Sequence, residues 1–360
     1  MRVFVLLSLL LLTACANRNL SQVFPEAPGE VERMLVQTNR MIPEDGIPGW
    51  ERDRADHFLD VGVSIPATRE VGSVTFSYSH PDPERDFVLQ KVAALPGREA
   101  FRSEVRRRLT ALPRGERDLV IFVHGYNNSF TDGVFRLAQV QKDFALEAVP
   151  VAFSWPTAGR TLGYTHDRES MLYSRDSLER LIRDAGASGA DSVILVGHSM
   201  GTMLIMETLR QMSIAEPGLP ARLVDAVILM APDIDVDVFN DQARRIDPLP
   251  QPFYIFTSAR DRALQLSSQL NVQSTRLGML EEASRVSDLP VTLVDVTNFP
   301  ISARDSHFVA ISSPALIKLL ANRDVLDQTF RDASGSGGAL PGAFESVRQA
   351  TRFVLSPLTQ

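Results

Sequence analysis

The chain has 360 residues, of which 44% are hydrophobic and 22% are charged, and its formal net charge is −7. This apolar content excludes a largely disordered chain, and the acidic balance argues against a general nucleic-acid-binding protein, which would carry a basic surplus. The single cysteine, Cys15, excludes an internal disulfide framework and a cysteine-rich metal site. We expect neither a metal nor an organic cofactor.

The N-terminus has the features of a targeting segment. A positive start at Met1-Arg2 precedes an apolar run over 3–12, about half the length of a membrane-spanning helix, which predicts a signal peptide over 1–14. The run ends in Leu-Thr-Ala-Cys15, which resembles the lipobox of bacterial lipoproteins. That resemblance implies cleavage before Cys15, a lipid anchor on it and, because Ala16 rather than Asp follows, the periplasmic side of the outer membrane. The alternative is a cleaved secretory signal with an incidental cysteine.

The two ends of the mature chain lack sustained periodicity. Several Pro and Gly residues within 15–56 predict a tether with a short helix at 30–39. The segment 326–360 contains a Gly-Ser-Gly-Gly stretch and predicts a flexible tail with a short helix at 344–355. A single domain is therefore expected over 57–325.

Within that domain, short apolar runs alternate with amphipathic helical patterns. This alternation predicts an α/β fold with a mostly parallel, doubly wound sheet of about eight strands and helices on both faces. The predicted strands lie at 57–65, 71–79, 119–123, 151–153, 193–196, 226–230, 253–256 and 291–296. The predicted helices lie at 130–144, 178–185, 203–209 and 264–270.

Ser199 is the candidate nucleophile. It is the central residue of Gly197-His198-Ser199-Met200-Gly201, a G-x-S-x-G sequence between a predicted strand and a predicted helix. In that context the motif indicates a nucleophile elbow, a sharp turn that exposes the serine above the sheet edge. The alternative is a small residue in an ordinary strand-to-helix turn.

A second loop follows the strand at 119–123. It reads His124-Gly125-Tyr126-Asn127 and resembles the oxyanion loop of α/β hydrolases. We expect the backbone N–H groups of Tyr126 and Met200 to bind the oxyanion, with Asn127 as an alternative to Tyr126. For His124, and likewise for the histidine before the nucleophile, we favour a packing role.

A serine nucleophile needs a histidine base and an acid that orients it. His307 is the only histidine after the nucleophile, and the chain order of this fold is Ser, acid, His. Asp261 follows the seventh predicted strand and is the favoured acid, and Asp233, after the sixth, is the alternative acid. Asp295 and Asp305 are less favoured.

These motifs, together with Phe153-Ser154-Trp155-Pro156, resemble a bacterial α/β-hydrolase family of unknown function over about 70–330. The resemblance implies a serine-hydrolase fold and triad but no established substrate. Trp155 either lines the substrate pocket or covers the core. Tyr164 and Asp167 are candidates for a small cap over the site.

The expected function is therefore a lipid-anchored serine hydrolase of the bacterial envelope that cleaves a carboxylic ester or a related acyl bond. Its partners would be a small acyl-ester or lipid substrate and, through the anchor, a membrane; no nucleic acid is expected. The alternatives are a non-catalytic envelope scaffold of the same fold and an amidase or peptidase. Acyl transfer to another acceptor would use the same residues.

Overall fold

The structure, a computed structural model, describes residues 22–160, 162–271, 274–302, 305–320 and 342–356. Cys15 and the predicted signal peptide lie outside the described residues, as does the Gly-rich part of the predicted tail. No helix in the described ranges combines the length and apolar character needed to cross a membrane.

One sheet of eleven strands dominates the described part of the chain. The strands are β1 (Glu30–Arg40), β2 (Arg52–Ile65), β3 (Val88–Ala94), β4 (Asp118–Val123), β5 (Val149–Ser154), β6 (Ser192–His198), β7 (Ala226–Met230), β8 (Phe253–Thr257), β9 (Thr292–Asp295), β10 (Gly342–Val347) and β11 (Ala350–Leu355). Their order is β10-β11-β9-β8-β7-β6-β4-β5-β1-β2-β3. In this order, the eight neighbouring strands that begin with β11 and end with β1 are mutually parallel. At one edge β10 pairs antiparallel with β11, and at the other edge β2 pairs antiparallel with β1 and β3 antiparallel with β2.

Helices cover both faces of this sheet. They are α1 (Arg98–Thr110), α2 (Phe130–Asp143), α3 (Tyr164–Tyr173), α4 (Arg175–Gly186), α5 (Met200–Ala215), α6 (Leu219–Leu223), α7 (Val236–Arg245), α8 (Arg262–Leu270), α9 (Val309–Ser312) and α10 (Pro314–Leu320). Alternate residues of each parallel strand point to opposite faces. Ile121 belongs to the core that includes helices α1, α4 and α5, whereas its neighbour Phe122 belongs to the core on the α2 side. The predicted fold class is confirmed.

The N-terminal segment departs from the prediction of a tether. Residues 30–40 form β1, an interior strand whose Met34, Leu35 and Val36 are fully buried, not a helix. The strand pairs with β5 on one side and β2 on the other. The Pro and Gly residues that suggested a linker lie in the turns at its two ends, and a strand buried on both faces needs no simple alternation.

The C-terminal segment and residues 71–79 also differ from the prediction. The helix predicted at 344–355 is a hairpin of β10 and β11, which suits β-branched and aromatic residues such as Thr351 and Phe353. The strand predicted at 71–79 is absent: this stretch has no regular structure. Phe76 instead packs edge-on against Phe135 of α2, with ring centres 5.1 Å apart.

The strand order locates the natural ligand site of the sheet. After β4 the chain moves to β5 on one side, and it then returns to β6 on the other side of β4. Ligands of open parallel sheets bind at such a switch point, beyond the carboxyl ends of the strands. The loops after β4 and β6 are those that contain Gly125 and Ser199.

Candidate active site

Ser199 occupies a strained turn between β6 and α5. Its φ of 52° and ψ of −124° lie outside the regions that side-chain-bearing residues normally adopt. The turn is fixed by hydrogen bonds from Ser199 N to Met230 O (3.0 Å) and from Thr202 Oγ1 to Ser199 O (2.6 Å). Such strain persists only where the surrounding structure enforces it, as a nucleophile elbow requires.

Two glycines allow the loops after β4 and β6 to approach each other. A Cβ on Gly201 would overlap the carbonyl oxygens of Val123 and His124, and a Cβ on Gly125 would lie 2.7 Å from Ser199 Cβ. Both positions therefore need glycine because backbone or a buried side chain fills the space. This close packing places the oxyanion-loop candidate directly beside Ser199.

The structure brings His307 and Asp261 together. His307 lies in a short 3₁₀ turn after β9, and its Nδ1 is 2.7 Å from Asp261 Oδ2. The Asp261 side chain is 1% exposed and that of His307 is 15% exposed, so the pair is shielded from water while the imidazole still reaches the cleft. The other carboxylate oxygen, Oδ1, accepts a hydrogen bond from Leu264 N (3.0 Å) and caps α8.

Asp233, the alternative acid, has other partners. Its Oδ1 accepts a hydrogen bond from Ser267 Oγ (2.7 Å) and lies 3.4 Å from Arg276 Nε, and its Oδ2 accepts from Tyr164 OH (3.1 Å). Burial and the adjacent carboxylate raise the pKa of Tyr164, which therefore remains a hydrogen-bond donor at neutral pH. The geometry favours Asp261 over Asp233 as the partner of His307.

Ser199 and His307 line the same cleft, which has a volume of about 460 Å3. Tyr126, Tyr164 and Asp233 contribute to its polar side. Its apolar lining is Val74, Phe76, Ala263, Leu264, Leu266 and Phe308. Among the described residues there is no group of three or more metal-binding side chains suited to hold an ion.

The loop after β4 is anchored by a buried carboxylate. Asp167 of α3 is fully buried and accepts hydrogen bonds from the backbone N–H groups of Asn127 (3.1 Å) and Ala158 (2.7 Å). Burial raises the pKa of Asp167, and the two N–H donors oppose that rise. Since Asn127 N–H is directed to Asp167, the geometry favours Tyr126 over Asn127 as the partner of Met200, whose N–H begins α5.

Arg40 at the end of β1 was not anticipated from the sequence. Its guanidinium is fully buried and donates to Ser154 Oγ (3.0 Å), Gly49 O (3.0 Å) and Asn128 O (2.9 Å), and it lies 3.2 Å from His124 Nε2. Burial lowers the pKa of Arg40 to about 9. Arg40 thus ties the N-terminal strand to the loop beside Ser199, and no motif in the sequence signals this long-range role.

His124 packs within the core, as expected. Its ring stacks on fully buried Trp155 at 5.2 Å, and Trp155 Nε1 donates to His124 O (2.8 Å). Burial and the nearby Arg40 lower the pKa of His124 to about 3, so the imidazole stays neutral. Trp155 therefore covers the core and does not line the cleft.

His198 supports the loop that carries the candidate base. Its Nε2 lies 2.9 Å from the backbone oxygen of His307, and its ring stacks on Phe308 at 4.4 Å. Burial, reinforced by the nearby His307, holds the pKa of His198 well below 6.5, so it remains neutral and acts as a hydrogen-bond donor. The predicted packing role thus includes a direct contact with the base loop.

Residues 98–323 match the family described as "Alpha/beta hydrolase of unknown function (DUF900)", and this match spans more than half of the chain. The chain belongs to this family. It is thus an α/β hydrolase, in agreement with the family that its motifs resemble. No curated protein matches the sequence significantly.

Several solved structures are distantly similar to this α/β hydrolase. A putative hydrolase of the α/β superfamily from Xanthomonas campestris is 20% identical, with 57% of this chain and 98% of that chain covered and a TM-score of 0.29. An esterase from Pyrococcus furiosus is 11% identical, with coverages of 81% and 93% and a TM-score of 0.34. A bacterial brefeldin A esterase is 14% identical, with coverages of 90% and 81% and a TM-score of 0.30. The family match and the strand order, not these neighbours, assign the fold.

Proposed function

We propose that this α/β hydrolase is a serine hydrolase that cleaves a carboxylic ester or a related acyl bond. The observation that carries the proposal is the convergence, in one cleft at the switch point of the sheet, of Ser199 on a strained elbow and the His307–Asp261 pair. A serine, a histidine and a buried acid in this arrangement form the triad of nucleophilic acyl transfer.

The proposed reaction begins at Ser199. Because Asp261 engages Nδ1 of His307, Nε2 is the nitrogen that accepts the Ser199 proton as Oγ attacks the substrate carbonyl. The negative charge that develops on the carbonyl oxygen is stabilised by the N–H groups of Tyr126 and Met200, assisted by the positive end of α5.

The second half returns the enzyme to its starting state. His307 gives its proton to the leaving alcohol as the bond between the acyl carbon and that oxygen breaks, which leaves an ester on Ser199 Oγ. A water molecule, deprotonated by His307, attacks this acyl-enzyme, and the acid product leaves as Ser199 regains its proton. An alcohol in place of water would give acyl transfer with the same residues.

Turnover of matched chromogenic substrates tests the proposal. We expect the protein lacking residues 1–15 to hydrolyse 4-nitrophenyl esters of short and medium chain length much faster than the corresponding 4-nitroanilides. Ser199→Ala should abolish turnover. Ser268→Ala, which replaces a serine of helix α8, serves as the control. Faster anilide turnover would favour the amidase alternative. If the folded wild type turns over neither substrate, the scaffold alternative replaces the proposal.

We also propose that the protein is anchored to the periplasmic side of the outer membrane through lipid on Cys15. The support is the Leu-Thr-Ala-Cys sequence after an apolar run and the absence of any other cysteine in the chain. Incorporation of a fatty-acid analogue into the wild type but not into Cys15→Ser is the expected result in the native bacterial host. Equal labelling of both proteins, or of neither, would contradict the proposal.

A further inference from the structure

Three charged side chains line the catalytic cleft, and two of them are carboxylates with partners. Asp132 accepts hydrogen bonds from Tyr78 OH (2.7 Å) and Ser129 N (2.7 Å), and Asp233 contacts Tyr164, Ser267 and Arg276 as described above. Each oxygen of Asp132 thus accepts a hydrogen bond from a neutral donor, and Asp233 already lies beside the cationic side chain of Arg276. The third charged side chain is Arg136 of α2.

Arg136 is held in place through one nitrogen. Its Nη1 donates to Gln139 Oε1 (3.0 Å) and Ser312 Oγ (2.9 Å), and the guanidinium lies 4.4 Å from the Phe308 ring centre. Phe308 directly follows the proposed base, and Arg136 lines the same cleft as Ser199 and His307. These contacts fix the group without neutralising its charge.

The other edge of the guanidinium is open. In the described part of the chain, Nε and Nη2 of Arg136 have no hydrogen-bond partner, and no carboxylate lies within 4.0 Å of the guanidinium. Neither nitrogen atom is fully buried, so both are accessible to solvent. Arg40 differs, because its Nε, Nη1 and Nη2 all donate to protein acceptors. Arg98 shows what the same edge can bind, since its Nε and Nη2 donate to the two oxygens of Asp184 (2.7 and 2.8 Å).

A desolvated cation without an adjacent anion is unfavourable, and an anionic ligand relieves that cost. Desolvation lowers the pKa of Arg136 to about 10, so the group stays charged at neutral pH. The carboxylates of Asp305, Asp132 and Asp143 act on it only over longer distances. The cleft thus presents a fixed, charged and partly unpaired guanidinium to any bound substrate.

We propose that Arg136 binds an anionic group of the substrate, a carboxylate or a phosphate, through its Nε and Nη2 edge. A planar guanidinium edge matches the two oxygens of such a group and forms paired, charge-assisted hydrogen bonds. The substrate is then an ester that carries a negative charge in addition to its scissile bond. This inference rests on the proposed esterase function and specifies its substrate class.

The test compares pairs of esters in which one member carries an anionic group and the other does not. For an anion on the acyl side, the pair is 4-nitrophenyl hydrogen adipate and 4-nitrophenyl 6-methylheptanoate, in which an isopropyl group of similar shape replaces the carboxylate. For an anion on the alcohol side, the pair is 1-hexanoylglycerol 3-phosphate and 1-hexanoylglycerol. The readout is the ratio of kcat/KM for the anionic ester to kcat/KM for the neutral ester.

We expect the wild type to prefer the anionic ester in at least one pair, and Arg136→Gln to lower that ratio by about 10- to 100-fold, the range for charged hydrogen bonds. Arg136→Lys, which keeps the charge but not the planar edge, should lower it less and remains informative if Arg136→Gln does not fold. Lys142→Gln is the matched control, because this exposed cation on the same helix pairs with Glu30.

The outcomes separate the two proposals. A wild-type ratio near one in both pairs, or a ratio that Arg136→Gln leaves unchanged, would overturn the role of Arg136 while the esterase function stands. Absence of Ser199-dependent turnover with every ester would overturn the esterase function itself. The pair that shows the preference identifies whether the anion is on the acyl or the alcohol side.

Discussion

Asp261 contacts two structural elements with its two carboxylate oxygens. Oδ2 holds Nδ1 of His307, and Oδ1 accepts the N–H of Leu264 at the start of α8. The helix cap fixes the carboxylate, so the orientation of the imidazole depends on the same side chain that begins the helix. Asp233 follows the preceding strand and has a similar burial, but its partners are Tyr164, Ser267 and Arg276.

This difference predicts unequal effects of two matched substitutions. Asp261→Asn should lower kcat for ester hydrolysis by about 10³- to 10⁴-fold, because an amide no longer stabilises the imidazolium or the correct tautomer, whereas Asp233→Asn should lower it less than about tenfold. Steady-state kinetics with one 4-nitrophenyl ester provides the measurement, with circular dichroism to confirm folding. A larger loss for Asp233→Asn would instead assign the acid to that residue.

The residues of the site differ in how far the sequence could predict them. The G-x-S-x-G sequence and the single later histidine point to Ser199 and His307 without coordinates. The choice between Asp261 and Asp233 stays open in the sequence because each follows a buried strand. Arg40 and Arg136 carry no motif, and their roles depend on contacts between residues far apart in the chain.

Strand β1 shows how an element outside the predicted domain supports the site. It pairs with β5 and β2, and it ends at Arg40, whose guanidinium donates to Asn128 O in the loop after β4. Central strands such as β7 match their predicted bounds because short apolar runs suit strands buried on both faces. The sequence does not predict β1, β3, β10 and β11 as strands, because polar residues and neighbouring Pro and Gly turns interrupt their apolar pattern.

This role of β1 predicts a large stability difference between two arginines of the same strand. Arg40→Met should lower the free energy of unfolding by about 3–5 kcal/mol, since it leaves several buried acceptors without a donor. Arg33→Met, at an exposed position, should change it by less than about 0.5 kcal/mol. Urea unfolding of both variants measures the difference, and equal values would contradict the integration of β1 into the fold.

At the scale of the whole molecule, the sheet order brings the separate parts of the site to one edge. The loops after β4 and β6 meet at the switch point, and the loop with His307 reaches them from beyond β9. The alternation of strands and helices predicted this class of fold, but the hairpin of β10 and β11 and the position of β1 required the tertiary structure. The resulting cleft combines an apolar side with the open guanidinium edge of Arg136.

The central claim is that Ser199 is an activated nucleophile, and covalent labelling with a fluorophosphonate probe tests it most directly. We expect the probe to modify the protein lacking residues 1–15, and peptide mass spectrometry to locate the adduct on Ser199. Ser199→Ala should not react and His307→Gln should react far more slowly. Failure of the folded wild-type protein to react, or an adduct on another serine, would contradict the claim.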